Sequence, residues 1–458
     1  VADSPPAVAP VEIGGAFLDD VETLVRDGQR GMVLNLVRDL HPADLAGVLR
    51  RLPEDAASAL FDWLPEEQAG PVLAETEGTH RADLLEAWEP AEIGDVLDEL
   101  DSDDAADVLA DLPPEVAEQV LVHLEDAAEV GTLLRFAEDT AGGLMGTEFV
   151  AVPETATVGE ATEELRRRAE EVDPVYALYV VDAAGRLRGM VDLKDLVLAR
   201  ARAPITSVME TEFEAVRPDL DQEAVARVME RHDLVVLPVV SDDGRMLGRI
   251  TIDDVVDVIR EEAEEDFQRA SGLTGDEELS AGVMRVSRGR LPWLFVGLVG
   301  AAMSGLVIGT FEESLEAAVV LAMFIPIVTA MGGNAAVQSG AITVQGLATG
   351  ELWASDLRSR LFKEVAVAVL NGVVLAAAIT AVVVATGIGA ETMPRLALTI
   401  CATMFTVILL ATTNGAIVPL VLNRLGIDPS LSMGPFVTTL NDIIGLTVYF
   451  LMANVLYF

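Results

Sequence analysis

The sequence predicts a multidomain membrane protein with an all-α superhelical N-terminal domain, a tandem α/β domain, a long connecting helix and a five-helix α transmembrane domain. Three observations carry this. Leucines recur at a twelve-residue spacing through the first 140 residues, a 17-residue block returns 59 residues further on, and five long apolar runs fill residues 285–458. Charge divides at the same place: the formal total is -45, yet nine acids and eight bases leave residues 285–458 near neutral, so about -44 sits on residues 1–284. Such a load repels itself unless cations are bound, and it excludes nucleic acid, which needs basic surface. Divalent cations are the natural partners, although an acid-rich proteome that merely solvates its surfaces gives the same composition.

In residues 1–140 the repeat runs through Leu40, Leu52, Leu64, Trp88, Leu100, Leu112 and Leu124, and only Thr76 breaks it. Most of these residues are followed by Pro or an acid, which mark helix starts. Each unit therefore reads as a helix of about two turns that must stack on its neighbours to bury a face, giving a solenoid. Asp103, Asp104 and Asp107 are expected on its outer face, where solvation alone would also account for them. His41, His80 and His123 lack metal-ligand spacing. Val1 to Pro10 has no basic n-region and does not read as a secretory signal, and the opening at Val1 reads as a trimmed start. The single Cys401 excludes a disulfide framework.

Residues 141–260 hold the duplication. Tyr179 to Asp195 aligns with Pro238 to Asp254, each copy reading as strand, glycine turn, strand and helix, with a helix upstream at Val158 to Glu171 and Gln222 to Arg231. This pattern resembles a pair of cystathionine β-synthase-type (CBS) domains. The resemblance implies an adenosine nucleotide such as ATP in the cleft between copies, with Thr251 and Asp254 at the positions of ribose contacts. Asp192 replaces the expected Ser or Thr in the first copy.

Residues 261–284 form the acidic connecting helix and linker. Asp253 to Phe267 reads as one helix, with Asp254, Asp257 and Glu261 on one face and Glu262, Glu265 and Asp266 near another. Like charges at helical neighbours are unfavourable without cations. Ser271 to Gly275 then loosens the chain.

The apolar runs lie at about Leu291 to Ile308, Leu315 to Leu347, Val365 to Ile388, Leu396 to Leu422 and Leu431 to Phe458, each long enough to cross a bilayer. Arg285, Arg288, Arg290, Arg358, Arg360, Lys363 and Arg424 fall on one side, against Arg395 with Glu312, Glu313, Glu316 and Glu391 on the other. The positive-inside rule then puts the acidic half in the cytoplasm of a multi-pass protein of the cell membrane. Pro326 and the Gly332-Gly333-Asn334 element in the second run predict either a broken helix with exposed carbonyls or a small-residue packing interface. Asn334 and Gln338 share a face. In the last run Pro435, Thr438, Thr439, Asn441 and Asp442 form a polar island. Asp442 has no basic residue in its run, and an acid at membrane depth persists where it faces a bundle interior or a wet path and holds a cation.

In this order the parts resemble the MgtE family of magnesium channels over essentially the whole chain, most specifically at Gly332-Gly333-Asn334, Pro435 to Gly445 and Glu261 to Phe267. The resemblance implies a homodimer whose pore lies between the two membrane parts, with Asp442 as pore acid and Asn334 and Thr438 nearby. It also implies cytosolic Mg2+ held between Asp104 and Asp107 of the solenoid and Glu223, Asp233, Asp254 and Asp257 of the CBS pair. Lower sites would join Glu262, Glu265 and Asp266 to Asp428. The chain departs from the pattern at Ala335, Ala336 and Val337, and at Gly434, which bears on selectivity. The expected function is Mg2+ entry through a channel closed by Mg2+ on the cytosolic acids. A transporter of Co2+ or Mn2+ and a metal-responsive sensor with an inert anchor are the alternatives. No nucleophile, base or metal-ligand cluster of an enzyme is apparent.

Overall fold

The computed structural model describes residues 13–458 except 77, 170–171, 173, 274–281, 350–356 and 389–391. The readings made on Val1 to Pro10, Glu171, the later part of the linker and Glu391 lie outside the described residues. Two compact units divide at Arg260.

In the first unit, helices begin at Arg30, Pro42, Glu54, Glu66, Gly78, Pro90, Ser102 and Pro114, one every twelve residues. The cause is local. Pro42 and Pro90 open their helices, Pro53, Pro65 and Pro113 stand just before theirs, and acids such as Glu54, Asp55, Glu66 and Glu67 occupy first turns where the helix dipole favours them. Leu52, Leu64, Leu112 and Leu124 are buried in one continuous core, and Leu40, Trp88 and Leu100 pack against it. Thr76, the break in the repeat, is buried as well. Its hydroxyl donates to the Val72 carbonyl at 2.7 Å and its own carbonyl accepts from Arg81 Nε at 2.5 Å. The buried Arg81 also donates to the Ala74 carbonyl at 3.1 Å and to Asp111 Oδ2 at 3.0 Å.

The duplication is faithful in three dimensions. Strands Ala177–Val181 and Leu187–Asp192 pair antiparallel, as do Val236–Val240 and Met246–Thr251, and both hairpins carry a register shift at the same place, Val180/Val181 and Val239/Val240. Gly185 and Gly244 take φ of 78° and 81° in the turns, a conformation that side chains disfavour. Ala151–Pro153 adds a parallel strand to the first hairpin. The upstream helices are Val158–Arg168 and Gln222–His232. Core residues of the second copy, among them Val225, Leu237, Ile250 and Val255, belong to the same apolar cluster as the solenoid. The solenoid therefore packs onto the second copy. The acidic helix Ile252–Ala270 runs on across the division at Arg260.

Among the described residues the second unit holds five helices long and apolar enough to cross a membrane, at Val283–Thr310, Val319–Ala348, Ser359–Thr386, Met393–Arg424 and Phe436–Leu456. The expected break at Pro326 to Gln338 is corrected. A short helix Glu312–Ala317 and a 3-10 turn Val319–Phe324 come first, and an uninterrupted helix runs from Ile325 to Ala348 with Pro326 in its first turn. Proline there loses no hydrogen bond, because first-turn N–H groups have no partner inside the helix. The glycines serve packing instead. A Cβ on Gly415 would lie 2.2 Å from the Ala336 carbonyl oxygen, and one on Gly332 3.1 Å from Val407, so the second and fourth spans touch backbone to backbone.

Candidate functional site

The first unit carries a carboxylate cluster at the junction of solenoid and second CBS copy. Asp101 stands at the N-cap position of the helix Ser102–Asp111 without a capping bond from its side chain, Asp103 lies in the first turn, and carboxylate oxygens of Asp101, Asp103 and Glu148 lie within 4.8 Å of one another. Ser102 fixes Glu148: its backbone N–H donates to Oε1 and its hydroxyl to Oε2, both at 3.1 Å. Gly146 lets the strand region come close, since a Cβ there would meet Asp103 Oδ2 and Glu148 Oε2 at 3.1 Å.

Burial pushes the Asp101 carboxyl up to about 6, helped by Glu148, Asp254 and Asp253 and opposed by Arg249. Burial and then Asp254 raise Asp103 well above the usual carboxylate range. Asp104 is raised to about 7, first by burial and then by Asp254, with Arg81 opposing. Asp107, though open to solvent on one side, rises to about 7 because the protein packed beside it and the Glu138 charge disfavour the ionised form. Asp254 rises to about 6 by burial, against the bonds it accepts from Thr251, whose hydroxyl donates to Oδ2 at 2.7 Å and whose N–H donates at 3.2 Å. These shifts share one cause, negative charge gathered out of water with too little positive charge to balance it. The expectation that Asp103 and Asp104 lie on a solvated outer face is thus corrected: both are half-buried, and only Asp107 is exposed.

The other expected ligands fall elsewhere. Glu223 pairs with Arg227 at 3.1 Å at the start of the helix Gln222–His232, whereas Asp233 closes its far end with φ 53°. Ten residues of helix separate them by about 15 Å, so one ion cannot touch both. Asp257 is exposed and lies 3.4 Å from Arg260. Thr251 and Asp254, the expected ribose contacts, are bonded to each other.

In the second unit the lower acids do meet. Asp266 is raised by burial and then by Asp428 and Glu262. Arg269 stands among them, donating to Asp428 Oδ2 at 2.7 Å and pairing with Glu265. Two of the four carboxylates expected at the lower sites, Glu265 and Asp428, are therefore already bridged by a guanidinium. Asp428 also accepts from Ser430 N–H at 2.8 Å and so caps the turn before the last span. Gly434 follows, where a Cβ would lie 3.2 Å from Gly272 Cα, which ties the end of the acidic helix to the start of that span.

Within the membrane helices, Gly333 faces Thr438, with 3.9 Å from its Cβ position to Thr438 Cγ2. Asn334 and Gln338 are exposed beside it, and Asp442, one turn beyond Thr438, is half-buried. Gly300 of the first span meets Thr439, whose Cγ2 would lie 1.9 Å from an added Cβ. The polar islands of the second and last spans are therefore neighbours.

Comparison with known proteins decides what this arrangement belongs to. A family profile described as "MgtE: Divalent cation transporter" matches residues 325–452, the MgtE intracellular N domain matches 40–139, and CBS domains match 141–202 and 205–261. The magnesium transporter MgtE of Thermus thermophilus is 37% identical over 331 residues, 72% of each chain. That of Bacillus subtilis is 30% identical over 433 residues, 94% of this chain and 95% of the relative. The chain belongs to the MgtE family. Among solved structures, the cytosolic domain of the Mg2+ channel MgtE in complex with ATP aligns with a TM-score of 0.50 at 36% identity, covering 53% of this chain and 99% of that one. As an MgtE family member the chain is a membrane protein with an intracellular N domain, a CBS pair and five apolar helices.

Sequence reading missed Asp101 and Glu148. Asp101 is marked only as a helix cap, and Glu148 lies far along the chain with no periodic signal.

Proposed function

We propose that the protein carries Mg2+ into the cytoplasm along a route lined by Asp442, Thr438 and Asn334, without catalysis. The observation that supports this best is the approach of Gly333 to Thr438, which brings the Gly332-Gly333-Asn334 element against the polar island of the last span, with the Asn334 side chain exposed. Mg2+ gives up water reluctantly and is held by one or two carboxylates through its hydration shell. A second copy of the chain would set two Asp442 carboxylates on one axis, and a homodimer is the assembly this reading requires. Near-normal Mg2+ entry into liposomes bearing Asp442→Asn would overturn it.

We further propose that cytosolic Mg2+ closes the route. Residues 1–140 and 141–260 would bind ions through Asp101, Asp103, Asp104, Glu148 and Asp254, with Asp107, Asp257, Glu223 and Asp233 as outlying acids. Residues 261–284 would pass the change, through Glu262, Glu265, Asp266 and Asp428, to residues 285–458. Binding to one state only shifts the equilibrium toward it. An adenosine nucleotide such as ATP would meet Thr251 and Asp254 through its ribose hydroxyls, in place of the bond from the Thr251 hydroxyl to Asp254. Unaltered nucleotide binding in Asp254→Ala would remove Asp254 from that role.

A further inference from the structure

A charged pair lies buried between the second and third membrane helices, apart from the acids discussed so far. Glu364 is 9% exposed. Its Oε1 accepts from Arg360 Nη2 at 2.9 Å, one turn earlier in the same helix, and its Oε2 accepts from Ser339 Oγ of the second span at 2.9 Å. Arg360 Nε is buried with no hydrogen-bond partner among the described residues. Two ions out of water and an unmet donor are a costly way to join helices that could have been joined by apolar side chains.

What the pair gains is direction. Ser339 belongs to the buried face of the second span, with Gly332, Ala336, Gly340 and Thr343, whereas Asn334 and Gln338 are exposed. At about 100° per residue, Ser339 is turned about 100° from Gln338 and about 140° from Asn334. Elsewhere this helix meets its neighbours through apolar contacts, at Gly415 against Ala336, Gly332 beneath Val407 and Gly340 beneath Met433. Apolar contacts of that kind hold helices close without direction, while a hydrogen bond to a carboxylate fixed by a guanidinium adds a directional restraint.

We propose that Ser339, Glu364 and Arg360 form a latch that sets the rotation of the second span and so positions Asn334 and Gln338 on the ion route. These are positioning residues, and the inference rests on the transport reading above. It is tested on the full chain in liposomes, measuring Mg2+ entry against Mg2+ concentration and in competition with Mn2+, alongside the melting temperature. The double variant R360M/E364M removes both charges at similar volume and is expected to keep its melting temperature. Maximal Mg2+ entry should nevertheless fall about tenfold and the preference for Mg2+ over Mn2+ should narrow, as when a site's support is loosened. S339A should move both readouts the same way, and the reversed pair R360E/E364R should recover part of the loss. Wild-type entry and preference in R360M/E364M overturn the latch, as does a loss merely proportional to unfolded protein. If the wild type admits no Mg2+, the transport reading falls and the latch with it. If the wild type conducts, D442N admits no Mg2+ and R360M/E364M is indistinguishable from wild type, the latch alone is wrong.

Discussion

Neutralising Asp104 is expected to stabilise the cytosolic unit when divalent ions are absent. Raising its carboxyl from 3.8 to about 7 corresponds to about 4 kcal/mol against the charged form. The group is half-buried and shares its strain with Asp254 and Asp101, so roughly half of that, about 2 kcal/mol, is recoverable. Against this stand the favourable first-turn position in Ser102–Asp111 and the attraction to Arg81, together about 0.5 kcal/mol. Asp104→Asn should thus gain roughly 1.5 kcal/mol, or about 3–6 °C in the melting of a unit this size. The sign follows from the shift. A carboxyl whose folded value lies above its unfolded one is penalised only when charged, so the gain is complete above about pH 7 and disappears as pH falls toward 3.8. The assay is thermal melting of the full chain in EDTA at pH 8 and pH 5, repeated in Mg2+, where the variant should gain less from the ion than the wild type. Melting at or below wild type at pH 8 in EDTA would refute the reasoning.

Three further outcomes can be checked. Gly300→Ala places a methyl 1.9 Å from Thr439 Cγ2, so the first span must shift from the last; Mg2+ entry should drop several-fold, with lowered melting temperature. Arg269→Gln removes the guanidinium between Glu265 and Asp428; the closed state should then depend more steeply on internal Mg2+, seen as greater entry at low internal Mg2+, and an unchanged inhibition curve would count against it. Deleting residues 1–140 removes Asp101, Asp103 and Asp104, and channels that still close fully as internal Mg2+ rises would take the solenoid out of the gating.

The fold was legible wherever the signal was local. Proline and acids at helix starts set the twelve-residue units, and the two glycine turns announced the hairpins. Pro326 misled because proline reads alike as a kink or a first-turn residue, and an apolar run does not mark where its helix starts. The sites were legible only in part. Thr438, Asp442 and Asn334 stand out because polar residues are rare in apolar runs, whereas Asp101 and Glu148 resemble any surface acid until tertiary packing joins residues 46 positions apart at Ser102 and Glu148. Arg360 was read as a loop cation marking sidedness. Its spacing of four from Glu364 was the available clue to an intrahelical pair.

The guanidinium of Arg81, clamped on Thr76, Ala74 and Asp111, bolts the solenoid where its rhythm falters. Beyond it the chain reaches the second copy of the duplication, where Ala141 N–H donates to the Leu220 carbonyl at 2.7 Å. One more dozen residues spliced in after Leu112 would carry Asp101 and Asp103 out of reach of Glu148 and so take the carboxylate cluster apart.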